Sequence, residues 1–246
     1  MSTGTDFGLD ADRTGGAEPI VKALHRRVTG RYPVDPFGLD PQVCDLVAPV
    51  IGAFVHVRVD HPERIPTEGP AVLVANRGLG FGEPASLAVA VRDVAQRRLR
   101  VVGAPSFAFA SGMARRLGAI SATRADVSAA LRAGHLVAVP LSPTWLRTGA
   151  GTPPLELVQA MMAFPVVPVA VRASGPFGTP IAWHVRVGTP LALDQSYAPR
   201  DPLGAAELGE SVRVAVGRLL AGDDTATEPP AAADMFPLSA PSAPGR

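Results

Sequence analysis

Strands alternating with helices along 246 residues predict an α/β fold: a single domain whose mostly parallel sheet is flanked by helices on both faces. Three observations carry that expectation. The runs AVLVAN (71–76), HLVAVP (135–140) and VVPVAVRA (166–173) are short and mostly apolar, the pattern of strands buried on both faces. Segments with helical apolar spacing separate them. Hydrophobic residues make up 47% of the chain against 18% charged, enough to bury a core at this length.

Residues 1–18, rich in Gly, Thr and Asp, are expected to be a disordered N-terminus, residues 19–221 the domain, and 222–246 a disordered Pro/Ala-rich tail. Ile20 to Arg27 and Pro41 to Ala53 have helical spacing, the second with Asp40 and Pro41 as cap and first-turn pair. Phe54 to Val59 alternates as a strand, His56 and Arg58 opposing Val55, Val57 and Val59. A loop, HPERIPTEGP, leads into AVLVAN, and Pro84 to Gln96 reads as the next helix. LRVVGA (99–104) reads as a strand. Phe109, Met113 and Leu117 mark one face of a helix closed by Gly118. A short strand about Ile120, a helix from Ala125 to Ala133 and the strand HLVAVP follow. SPTWLRTGAGTPP (142–154) reads as a polar loop, in which Trp145 either packs locally or covers an acyl chain at a membrane surface. A helix near Leu155 to Ala163, the strands VVPVAVRA and IAWHVRVG, and a helix from Pro202 to Leu220 complete the pattern.

Composition narrows the function. A formal net charge of +1 gives no field to gather nucleic acid or anionic lipid by charge alone, so no nucleic-acid partner is expected. Lys22 is the sole lysine, and the bias to Arg, Ala, Gly and Pro fits a GC-rich bacterial coding sequence. Cys44 is the sole cysteine, which rules out an intrachain disulfide and a cysteine-based metal cage. Asp6, Asp10 and Asp12 precede any apolar run, unlike a secretory signal. The longest apolar stretch, Val43 to Val57, is broken by Asp45 and Pro49 and too short to span a bilayer. The expected location is therefore cytoplasmic.

Four blocks, taken in order, resemble those of the lysophospholipid and lysophosphatidate (glycerol-phosphate) acyltransferase superfamily, over about Pro41 to Leu191. VRVDHPERIPTEGPAVLVAN is similar to the family's lead-in strand, turn and first core strand. RRLGAISATR resembles the second block, with Gly118 and, six residues on, Arg124 in the place of a phosphate-binding arginine. HLVAVP leads to the third block, and FPVVPVAV, including Pro168, resembles the fourth. The resemblance implies a glycerolipid acyltransferase-like fold and a thioester co-substrate, acyl-CoA or acyl carrier protein, with no bound cofactor or metal. It also implies a lipid or acyl-chain ligand, peripheral contact with the inner face of the membrane, and a partner acyltransferase as a further candidate.

The chemistry departs from the family. Its first block is Asn-His, then Asp with four residues between; the histidine takes the acceptor hydroxyl's proton and the carboxylate holds the ring. In NRGLGFGEP, Asn76 is present, Arg77 replaces the histidine and Gly82 the aspartate. Arginine stays protonated and has no lone pair to act as a base. The third block, Phe-Pro-Glu-Gly in the family, reads Val139-Pro140-Leu141-Ser142. The expectation is a degenerate, catalytically impaired homologue that binds lipid or acyl chain, with Asn76, Arg77, Gly118, Arg124, Pro140 and Ser142 as substrate-binding candidates. Two alternatives stand beside it. An active O-acyltransferase would move an acyl group to a lysophospholipid hydroxyl through a substitute, Glu83, which otherwise reads as a helix-start acid beside Pro84. A nucleotide-binding protein would use Gly78, Gly80 and Gly82, though Glu83 stands where the third glycine belongs and LRVVGA ends without an acid. In the first reading these glycines are what remains once the loop's side chains serve no chemistry. His56 and His61 could approach the block's mouth; His135 and His184 read as ordinary strand residues.

Overall fold

The run AVLVAN forms the strand on which the sheet is built. In the computed structural model, which describes residues 34–77, 82–103, 108–148, 155–174, 181–191 and 201–222, Ala71 through Ala75 are buried on both faces. The expected disordered ends, the helix at Ile20 to Arg27, and Gly78 and Gly80 lie outside the described residues. The elements are α1 (Pro41–Phe54), β1 (Val55–Asp60), β2 (Ala71–Asn76), α2 (Gly82–Ala95), β3 (Leu99–Val102), α3 (Ala108–Arg116), β4 (Ala119–Ile120), α4 (Arg124–Arg132), β5 (Leu136–Leu141), α5 (Pro143–Thr148), α6 (Leu155–Met161), β6 (Val166–Ser174), β7 (Ile181–Val187) and α7 (Pro202–Ala221).

The seven strands form one sheet in the order β1-β7-β6-β2-β5-β3-β4. β6, β2, β5, β3 and β4 run parallel. β7 returns antiparallel to β6, as the short connection from Ser174 to Ile181 dictates. β1 lies parallel to β7 at the edge. The fold is thus α/β with a mostly parallel sheet, as the alternating pattern predicts.

Strand alternation sorts the core into two. Val72, Val74, Val137 and Val139 meet Val127, Leu131, Trp145, Leu157, Leu208 and Val212 from α4 to α7. Leu73, Leu136, Val167, Val169, Trp183 and Val185 meet Leu87, Ala90 and Val91 of α2 on the other face. Trp145 corrects the expectation of a polar loop. It belongs to α5, is 3% exposed and lies wholly within the first core, which leaves it no role over an acyl chain or at a membrane surface. The helix was hidden because a six-residue element with one buried side chain shows no periodicity.

Two anchors hold the lead-in segment. Asp40 caps α1, its Oδ1 accepting from Gln42 N at 3.0 Å and Val43 N at 3.3 Å, while Pro41 needs no donor there. Asp35 accepts from Phe37 N and Leu39 N through Oδ1 and pairs with Arg100 of β3 through Oδ2. Arg100 is 2% exposed, and burial pushes its pKa down to about 10. Phe37 covers its guanidinium at 5.5 Å and meets His135 edge-on. Among the described side chains of α1 none is fully buried, and Leu46 and Val50 face outward.

Candidate functional site

Open parallel sheets present their functional groups beyond the carboxyl ends of the strands, where loops and helix N-termini converge. Here that edge carries Asn76 at the end of β2 and Arg77 just after it, Gly103 after β3, Arg124 after β4, and Ser142 after β5. The structure brings four of the sequence candidates, Asn76, Arg77, Arg124 and Ser142, to one edge.

Their individual roles differ. Asn76 donates from Nδ2 to Val171 O at 2.8 Å and accepts at Oδ1 from Val171 N at 2.7 Å. Its amide thus continues the β2–β6 ladder past the last pair, Ala75 with Val169, and holds the chain where it leaves the sheet. Arg77 donates its backbone N–H to Leu141 O at 2.9 Å, while its exposed side chain reaches towards Gly103. Because β5 lies between β2 and β3, the guanidinium crosses the end of β5. Arg124 is half-buried in the first turn of α4, behind the Thr123 cap. Among the described residues, neither Arg77 nor Arg124 has an ion pair or a side-chain hydrogen bond. Ser142 is exposed and its Oγ accepts from Trp145 N at 3.2 Å, capping α5. Pro140 lies within β5, paired with Ala75. Gly118 is a backbone requirement: its φ is +103°, and a Cβ there would stand 2.8 Å from Leu99 O. Glu83 is half-buried in the first turn of α2, where the helix dipole favours a carboxylate.

Gly82 carries the decisive geometry. A Cβ at this position would stand 2.5 Å from Cη2 of Trp183, closer than real Cβ atoms come. Trp183, on β7, is 8% exposed and packed into the α2 core. An indole therefore fills the space that a side chain at position 82 would enter. Glycine is what the packing against Trp183 demands at this position.

Among the described residues, His135, His61 and His184 lie away from the Gly82 face. His135 lies at the amino end of β5, away from Arg77, and burial followed by the charges of Arg100 and Arg97 pushes its pKa down. His61 follows β1, which runs opposite to β2, and is 3.2 Å from Glu63 Oε1. His184 alternates with Trp183 and Val185 and so faces away from Gly82. Its Nε2 stands 2.7 Å from Asp60 Oδ2, with the N–H off the direct line, and Arg186 Nε is 3.5 Å from the same oxygen. The close contact with His184, then the charges of His184, Arg186 and Arg58, hold the Asp60 carboxyl below its usual range. Sequence reasoning missed this dyad because its members lie on two separate strands and meet only when β1 and β7 pair.

No protein-family model matches the chain. An uncharacterized protein of Mycobacterium tuberculosis is 35% identical over 127 residues, covering 47% of this chain and 36% of that one. One from Mycobacterium leprae is 35% identical over the same length, covering 47% and 35%. The chain spans about a third of the length of these relatives. Among solved structures, the 1-acyl-sn-glycerophosphate acyltransferase PlsC from Thermotoga maritima is similar at 17% identity and a TM-score of 0.42, over 73% of this chain and 79% of that one.

Chemically, the described residues of this edge offer cationic donors. Guanidinium groups hold phosphate or carboxylate oxygens through paired hydrogen bonds, and they cannot remove a hydroxyl proton. Among the described residues, no cluster of His, Cys, Asp and Glu is placed to hold a metal ion, and no helix is long and apolar enough to cross a membrane.

Proposed function

We propose that this chain is an acyltransferase-like protein that binds a phosphate-bearing lipid or an acyl thioester at the edge formed by Arg77, Arg124 and Ser142, and that it does not transfer the acyl group through the family's base. Support comes from the four sequence blocks and from one geometric observation: Trp183 occupies the space over Gly82 that a catalytic carboxylate would need. With a permanent cation at position 77, this edge holds an anion and does not accept a proton there. Acyl-CoA or acyl carrier protein thioester is then a ligand, no bound cofactor is required, and the site serves at the inner face of a membrane or beside a partner acyltransferase.

Two measurements test this. Incubated with labelled acyl-CoA and a panel of lysophospholipids, the protein gives no turnover above the uncatalysed rate. Native mass spectrometry of the purified protein shows a retained lipid or acyl species, and Arg77→Ala weakens retention by about tenfold, the loss of one charge-assisted contact. Turnover abolished by Glu83→Ala and kept by Arg77→Ala would establish an active O-acyltransferase instead. A retained nucleotide would favour the nucleotide-binding alternative.

A further inference from the structure

β1 and β7 carry a second constellation on the face of the sheet opposite Gly82. Their register sets His56 beside Ala182 and Arg58 beside His184. Trp183 and Val185 point into the α2 core, so these four side chains share the other face. The Ala182 methyl is small, and a depression of about 330 Å³ opens there, lined by His56, Arg58, Ala182 and His184 with Val57 and Trp183 between them.

Every ionisable side chain lining this depression is of basic type. The neighbouring carboxylate, Asp60, is already engaged by His184 at 2.7 Å and Arg186 at 3.5 Å. On the same face, Arg172 donates to Leu220 O and Arg186 to Leu219 O, so both also serve the carboxyl end of α7. Arg58 is different. Its side chain is 85% exposed and its contact with Asp60 is a long 3.9 Å, which leaves the guanidinium able to turn over the depression. His184 Nε2 stands 2.7 Å from Asp60 Oδ2, which leaves Nδ1 as the ring nitrogen for a ligand. Two imidazoles and a guanidinium around a floor of one methyl form a three-donor cradle. That suits the three terminal oxygens of a phosphate monoester better than the two of a carboxylate.

We propose that this β1–β7 depression is an anion-binding site for a phosphate monoester group, separate from the Arg77 edge. The group is either a small soluble phosphate or the headgroup of a lysophosphatidate, and the experiment distinguishes the two sources. Inorganic phosphate, then phosphatidylcholine vesicles with and without lysophosphatidate, are titrated into the full-length protein while the ring resonances of His56 and His184 are followed by NMR. Both rings shift saturably together. Arg58→Ala, at an exposed position, weakens the binding at least about tenfold. Ala182→Leu fills the depression and abolishes saturation, with native circular dichroism retained. Saturation with inorganic phosphate assigns a soluble ligand, and saturation only with lysophosphatidate vesicles assigns the headgroup. Linear shifts with all three probes, or equal affinity in Arg58→Ala, overturn the site. The readout is local to two rings across the sheet from Gly82, so its failure leaves the Arg77 reading standing, and turnover at the Arg77 edge leaves this one standing.

Discussion

Gly82 and Trp183 make one unit, and placing an aspartate at position 82 tests it. Gly82→Asp inserts atoms where the indole already lies, so it costs about 1–3 kcal/mol in urea denaturation and yields no acyl transfer. Adding Trp183→Ala to Gly82→Asp costs less than the sum of the single losses, because the collision is gone. A Gly82→Asp protein as stable as wild type would remove the packing account. His135 permits a second test. Its folded-state pKa lies below the ordinary 6.5, so the unfolded chain binds the proton more readily. Stability is then full above pH 6.5 and falls as pH drops through the window down to the folded value. His135→Phe keeps an aromatic edge against Phe37 and flattens this slope in denaturation series run across that window.

At the scale of elements, the attachment of the lead-in segment to β3 rests on one buried ion pair. Asp35→Asn keeps the oxygen that accepts from Phe37 N and Leu39 N and deletes the charge that answers Arg100. A buried guanidinium without its partner costs about 3 kcal/mol or more. Arg100→Met removes the charge and fills similar space, so it costs far less despite losing the same pair. Chemical denaturation of the two variants decides the matter: equal losses would show that the pair itself, and not the stranded charge, sets the energy. Element boundaries were largely legible. The helix read from Pro84 to Gln96 spans Gly82 to Ala95, and the strand read from Phe54 to Val59 spans Val55 to Asp60. Periodicity is a local property, so it survives without tertiary information. α5 escaped because it is too short to repeat, and the reversal at β7 because strand direction is not written in alternation.

At the scale of the molecule, the central strands of the sheet are covered on both faces, and the energetics follow from that arrangement. Leu136, buried in β5 between β2 and β3, loses about 2–5 kcal/mol on truncation to Ala. Leu46→Ser on the outer side of α1, at 45% exposure, changes stability by less than about 0.5 kcal/mol. Thermal denaturation of the two variants should therefore separate clearly. A large loss at Leu46 would mean that another surface covers α1 in solution.

Of the candidate site, the sequence by itself determined the chemistry that residue identity alone controls. Arg77 follows a buried strand, and no fold gives a guanidinium the lone pair a general base needs. The order of strands and helices was determined in the same way, by patterns each segment carries alone. Tertiary structure alone decided that Trp183 fills the space above Gly82, that Asn76 is spent on the Val171 backbone, that Trp145 is core, and that Asp60 meets His184 beside a cationic depression. Each joins residues far apart in the chain, and such contacts exist only once the strands have chosen their neighbours and register.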